Sequence, residues 1–456
     1  MEDTNQAPEA APYNAITDGV IWKQLLLFAA PLLVGNLFQQ LYNTADSIIV
    51  GNYVGKNALA AVGSSAVIIN MIIGFFMGLA TGAGVLVSQY FGAKDDRSVH
   101  DTIHTGMMAM VFSGLLLTVL GIFLTPVIIR LIGTPEEVQS SSILYLRVFF
   151  AGITFLMIYN MGAGILRAVG DAKRPLYYLI AASLTNVFLD FVFVLFLKLG
   201  VLGVALGTIL SELLSAALTV RALMKETDVY RLVLKDLRIK KKYLMQIVRV
   251  GLPAGIQQSV IAFSNVIVQS HINGFGSAAM AGCGAYTKVD AFVTLPFMSI
   301  SLASTTFVGQ NIGAQKWDRV KKSARTSFLI STVFTVLISA IIYLLGSQIL
   351  SVFTSDSEVI RFGTMQLRWM APFYVLCGFS NVCSGVIRGS GETTIPMLIM
   401  VFNFCVLRVI WLSVMPAFIH DITIVFLGYI LTWTTCAVMM MIYYKKGSWL
   451  KKYQTD

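Results

Sequence analysis

The chain has 456 residues, 56% hydrophobic and 12% charged, with a mean hydropathy of +0.76. Soluble domains carry about 25% charged residues, so this composition excludes a soluble globular protein and points to a chain that crosses a membrane repeatedly. The net charge of +10 invites a nucleic-acid partner, a reading that the placement of the charges removes below.

Residues 1–20 are polar and begin with acidic groups. They lack the basic start of a cleaved signal peptide, so a short disordered tail is expected. Twelve apolar runs follow, predicting an all-α integral membrane protein with helices roughly at 23–52, 58–88, 102–124, 141–165, 175–197, 199–221, 247–273, 278–309, 323–345, 362–387, 394–418 and 421–444. The first exceeds the ~20 residues that a span needs. Pro31 lies inside it and removes a backbone hydrogen bond, so a bend is expected there. Pro253 holds nearly the same place in the seventh helix.

Further along the first helix, Asn36, Gln39, Asn43 and Asp46 fall at spacings of 3, 4 and 3 and share one face. Tyr42 lies one turn before Asp46 and can reach it. Asn186 and Asp190 share a face of the fifth helix, and Thr208 lies in the sixth. At ~1.5 Å per residue, Asp46, Asp190 and Thr208 come to one depth, about 9–14 Å from the outer helix ends. Glu212 follows Thr208 by one turn and is a relay acid or an inner-mouth residue.

The segment 225–246 carries Arg231, Lys235, Arg238, Lys240, Lys241 and Lys242. Between two six-helix halves this is a basic linker held at an anionic inner leaflet, and no nucleic-acid partner is expected. An even number of spans puts both termini on one side. Most Lys and Arg fall on that side, which makes it cytoplasmic by the positive-inside rule. The expected organisation is a tail (1–20), an N-lobe (21–224), the linker (225–246), a C-lobe (247–444) and a second cytoplasmic tail (445–456), in a plasma membrane of bacterial inner-membrane type.

In the second half, Lys288 and Asp290 lie near mid-depth of the eighth helix and Arg408 at similar depth in the eleventh. They form either a structural Asp290–Arg408 pair or a substrate contact. The five cysteines lie within predicted helices without metal spacing and read as packing residues. The four histidines are scattered and suggest no metal. There is no Walker A sequence and no nucleophile–base set, so neither ATP hydrolysis, nor an enzyme, nor an organic cofactor is expected.

The halves repeat each other at a constant offset of 221 residues: Gln89, Gly92, Ala93 and Val99 return as Gln310, Gly313, Ala314 and Val320, and Arg167, Gly170 and Pro175 as Arg388, Gly391 and Pro396. Paired six-helix bundles with the same orientation are the mark of an alternating-access carrier with its path at the seam. At the same offset Asp46 becomes Ile267, Asp190 becomes Trp411 and Asn186 becomes Leu407. The acidic cluster therefore belongs to the first half alone. A carboxylate inside a bilayer costs ~2.5–3.5 kcal/mol on the insertion scale, which calls for a function. Two acids with an amide and a hydroxyl can share protons or ligate Na⁺ through Asp46, Asn186, Asp190 and Thr208. The bland alternative is a structural polar network.

These features together resemble the multidrug and toxic compound extrusion (MATE) family over nearly the whole chain. The resemblance rests on Pro31 with QQLYNTADSIIVG, on SQYFGA echoed by GQNIGA, on LRAVGDAKRP echoed by IRGSGETTIP, and on LTNVFLD and ALGTILSE. It implies a V-shaped pair of bundles, function as a monomer, and an N-lobe cation site for H⁺ or Na⁺ on Asp46, Asn186, Asp190 and Thr208. It also implies antiport of amphipathic, cationic small molecules. The seventh and tenth helices lack the acids that form a C-lobe site in some branches, so those mechanisms do not transfer. The alternative is a lipid-linked saccharide flippase, for which the mainly acidic intramembrane charges are poorly suited.

Overall fold

The computed structural model describes residues 16–418 and 420–450. Of the tails expected at 1–20 and 445–456, residues 1–15 and 451–456 lie outside the described residues. Among the described residues, twelve helices are long and apolar enough to cross a membrane. They are α1 (Ile21–Val54), α2 (Lys56–Gly92), α3 (Asp96–Leu131), α4 (Glu136–Ala168), α5 (Lys173–Phe196), α6 (Val201–Lys225), α7 (Lys241–Asn273), α8 (Ser277–Gly313), α9 (Trp317–Ser351), α10 (Ser357–Gly389), α11 (Thr394–Ala417) and α12 (Thr423–Lys446). No strand occurs among the described residues.

Several helices outrun their expected ends, because hydropathy marks only the part suited to lipid. The third was expected over 102–124 and is found over Asp96–Leu131. Its polar first turn is helical because the Asp95 carboxylate accepts the Ser98 N–H at 3.0 Å and satisfies an orphan donor. Among the expected linker residues 225–246, those from Lys241 onward already belong to α7.

Each half has its own apolar core. α2, α3 and α4 share one built around Val99, Ile103, Phe150 and Leu166. α8, α10 and α12 share another built around Phe297, Phe307, Tyr374 and Phe426. α1 divides between the second of these and a smaller separate cluster of the first half. Leu25, Phe28, Ala29 and Leu32 pack into the second core, with the Phe28 and Phe307 rings 6.0 Å apart, whereas Ile49 and Val50 pack in the first half. The helix runs through Pro31 without a break. Because Pro31 has no N–H, the Leu27 carbonyl lacks its helical donor, and the chain is soft where α1 passes from one core to the other.

The halves touch through glycine. On α2, Gly78 and Gly82 abut Gly255 and Gly251 of α7 so closely that a Cβ at Gly78 would sit 2.1 Å from the Gly255 nitrogen. Such small-residue seams let helix backbones meet. At the end of the bundle that carries the linker, a reciprocal clasp repeats the 221-residue offset. The Gln89 amide donates to the Gly389 carbonyl at 2.9 Å, and the Gln310 amide donates to the Ala168 carbonyl at 2.7 Å. Between them Gly92 faces the Gln310 carbonyl and Gly313 the Gln89 carbonyl, with room for no side chain on either.

Candidate functional site

A cavity of about 450 Å³ lies inside the first half and is lined by α1, α2, α4, α5 and α6, with Leu302 of α8 at its edge. That volume suits a small-molecule site. Asn36, Gln39, Asn43 and Asp46 all line it from α1, which is what their shared face anticipates, and Pro31 and Tyr42 line it with them. Gln39 and Asn43 are exposed to it, and Asn36 donates across the seam to Ser299 Oγ at 3.2 Å. Asn186 and Thr208 line it as well, and Glu212 lies one turn beyond.

Asp190 stands behind this wall, fully buried with Asn186. Its carboxyl is within hydrogen-bonding reach of the Asp46 carboxyl. Two carboxylates have no donor between them, so this contact becomes a hydrogen bond only when one of them holds a proton. No protein group satisfies Asp46 Oδ1, either carboxyl oxygen of Asp190, or either polar atom of the Asn186 amide. Buried polar atoms are nearly always paired, and an orphaned set at one place fits a bound cation or proton. Thr208 donates its hydroxyl to the Val204 carbonyl at 3.1 Å, which leaves its oxygen lone pairs free to accept or ligate. The oxygens of Asp46, Asn186, Asp190 and Thr208 suit a hard cation such as Na⁺ as well as a shared proton. A stretch of π-helix over Phe191–Phe196 follows Asp190 directly. Such wide turns recur at functional positions.

Sequence reasoning missed several members of this site. Tyr145, Tyr159, Asn160 and Arg167 of α4 line the cavity. Tyr159 and Asn160 form a polar pair within an apolar run, the one signal that marks them. Gly207 was missed too, although a Cβ there would lie 2.3 Å from Asp190 Oδ1.

The remaining charges separate. Lys288 is exposed, with its ammonium 5.8 Å from the Phe353 ring centroid, and meets neither Asp290 nor Arg408. The structural Asp290–Arg408 ion pair is not formed: Asp290 accepts from Tyr286 and Tyr374 instead, and Arg408 binds Asn265 and Thr432. The histidines also need correction. His100 and His104 stack 3.9 Å apart, and with Asp236 they bring potential ligand atoms within 4.8 Å of one another. Both His104 nitrogens are nonetheless taken: Nδ1 bonds the His100 carbonyl and Nε2 accepts the Val233 N–H at 3.0 Å. The cluster fastens the linker to α3, aided by Lys240 on Asp101 at 2.5 Å.

Two lobes of six spanning helices, joined by a glycine seam and with a polar cavity inside the first, define a polytopic membrane carrier. The MatE family model matches residues 31–192 and 253–413, one block in each half, and the chain belongs to that family. It is 31% identical over 389 residues to the probable multidrug resistance protein YoeA of Bacillus subtilis, covering 84% of each chain. It is 26% identical to the probable multidrug resistance protein NorM of Thermotoga maritima, covering 95% of this chain and 94% of that one. A solved outward-facing conformation of a multidrug resistance MATE family transporter of the MOP superfamily superposes with a TM-score of 0.90, at 24% identity over 97% of this chain and all of the other. A MOP superfamily transporter from Pyrococcus furiosus, whose binding pocket has reverse polarity, superposes at 0.91 with 23% identity, covering 98% and 99%.

Proposed function

We propose that this chain is a secondary antiporter that exports amphipathic, cationic drugs or toxic metabolites in exchange for H⁺ or Na⁺. The observation that carries this reading is the orphaned set of Asp46, Asn186 and Asp190 beside the α1-lined cavity. With the linker end facing the cytoplasm, as the Lys and Arg distribution argues, the glutamine clasp closes the inner side and the coupling ion enters from outside. A proton between Asp46 and Asp190, or Na⁺ among their oxygens, removes negative charge that would otherwise hold a cationic substrate in the cavity. Binding of the ion therefore favours release of the drug, and the shared carboxylates make the two ligands compete. Each elementary charge moving inward gains ~2.3 kcal/mol per 100 mV, but a monovalent cation leaving costs the same, so one-for-one exchange is driven by the ion's concentration gradient, about tenfold for each 1.4 kcal/mol.

The test is efflux of a fluorescent cation from vesicles under an imposed pH gradient and, separately, a Na⁺ gradient. Asp46→Asn and Asp190→Asn should each abolish gradient-driven efflux while the protein still reaches the membrane. Wild-type coupled efflux in either variant refutes the reading. Which gradient drives the wild type identifies the ion.

A further inference from the structure

A second cavity, of about 910 Å³, lies where the start of α1 meets the corner between α8 and α9. Its walls follow Gln310 closely in the chain, so it stands at the clasp end, which the Lys and Arg distribution assigns to the cytoplasm. Trp22 and Trp317 line it, each in the first turn of its own spanning helix. Trp22 is 57% exposed. Tryptophan at the end of a span marks the depth of the lipid headgroups.

The charges in this cavity are lopsided. Lys316, Arg319, Lys321, Lys322 and Arg325 line it against a single acid, Asp318. Two of the cations are engaged within the protein. Lys316 donates to the Thr17 carbonyl at 3.0 Å and to the Asp18 carboxylate at 2.7 Å. Arg319 donates to the Gly19 carbonyl and to Gln24 Oε1, each at 2.8 Å. These bonds fix the chain that leads into α1 and so place Trp22 on the cavity wall. The other three are exposed, and none of them makes a hydrogen bond or ion pair among the described residues. Asp318, one turn earlier, pairs with neither lysine. Lys321 and Arg325 stand four residues apart on one helix, a spacing at which like charges repel. Such a cluster calls for an anion from outside the chain. Phosphate oxygens suit it, since the guanidinium offers a fork of donors and each ammonium a compact charge.

The rest of α9 says which anion. Lys322, Arg325, Leu329, Val333 and Val336 follow one another at spacings of 3, 4, 4 and 3 and share one face. Leu329, Val333 and Val336 are 66%, 49% and 48% exposed. The face therefore begins with free cations at headgroup level and continues as bare apolar surface into the span. A soluble anion would use only its first part, whereas an amphiphile with an anionic head uses all of it. Basic pockets between spanning helices on the cytoplasmic side suit anionic headgroups in the same way.

We infer that this cavity binds the phosphate headgroup of an anionic lipid of the inner leaflet, with Lys321, Lys322 and Arg325 as its cationic contacts and the apolar face of α9 beneath its acyl chains. The site lies outside the export cavity and stands whether or not the exchange proposed above is driven by an ion.

Native mass spectrometry of the detergent-purified full chain tests this by counting retained lipids. Phosphatidylglycerol and phosphatidylcholine with the same acyl chains are the probes. The wild type should retain phosphatidylglycerol in preference. Lys321→Gln/Lys322→Gln/Arg325→Gln should weaken that retention at least about tenfold and leave phosphatidylcholine unchanged. These side chains hold nothing within the fold, so the variant should unfold at the wild-type temperature. Arg231→Gln/Lys235→Gln/Lys241→Gln removes the same charge from the linker end and should retain phosphatidylglycerol like the wild type. Inorganic phosphate, added against chloride at equal ionic strength, should not displace the lipid. Undiminished retention in the α9 variant would overturn the inference. So would an equal loss in the linker variant, which reduces the effect to general attraction, or displacement by inorganic phosphate, which makes the occupant a soluble anion.

Discussion

Gly207 lacks a side chain because Asp190 takes its space: a Cβ there would come within 2.3 Å of the carboxyl oxygen. Gly207→Ala should push Asp190 away from Asp46 and lower coupled efflux at least about tenfold, a cost of ~1.4 kcal/mol in the cycle. Vesicle uptake at matched protein levels measures it. Thr208→Val tests the neighbouring position. It removes the hydroxyl but not its volume, so a site that ligates Na⁺ should lose affinity, whereas a purely protonic site should change little. At this scale the sequence was informative where it placed polar groups in apolar runs, since Asp46, Asp190 and Thr208 declare themselves by polarity at one depth and Asn186 by sharing the face of Asp190. Gly207 was hidden because its role is to be absent, and Arg167 because it stood at a helix end, where basic residues are ordinary.

At the scale of elements, α1 is the part whose sequence predicts mechanical behaviour. Its polar face and Pro31 were legible from spacing alone. Its division between two cores was not, because periodicity shows which face is apolar but not which neighbour covers it. Pro31→Ala restores the N–H that the Leu27 carbonyl lacks. It should leave thermal stability equal or higher while slowing turnover several-fold, and wild-type turnover in that variant would remove Pro31 from the mechanism. Helix ends were misjudged for a related reason. The first turns of α3 are polar and capped by Asp95, so they continue the helix where hydropathy stops.

For the whole molecule, the 221-residue repeat predicts more than paired lobes. It places the Gln89 and Gln310 hydrogen bonds as mirror partners, each reaching a carbonyl of the opposite half. Each is worth ~1 kcal/mol. Gln89→Ala or Gln310→Ala should shift the balance towards opening at the linker end about fivefold. The double variant should shift it about 25-fold if the effects add. Spin-label distances across that end would measure the change. A bulky residue at Gly313, where a Cβ would meet the Gln89 carbonyl at 1.9 Å, should forbid closure there and stop transport without preventing insertion.

The strap-like course of α1 sets one last condition on any motion. Phe28 and Leu32 are rooted among the packing of one bundle, and Ile49 and Val50 in the other. If the bundles part, the fifteen or so residues between those anchors must stretch, unwind or swing, and Asp46 rides on that stretch. On the exchange proposed above, a change at the acid pair and a parting of the bundles would pull on the same rod, which gives one a mechanical path to the other.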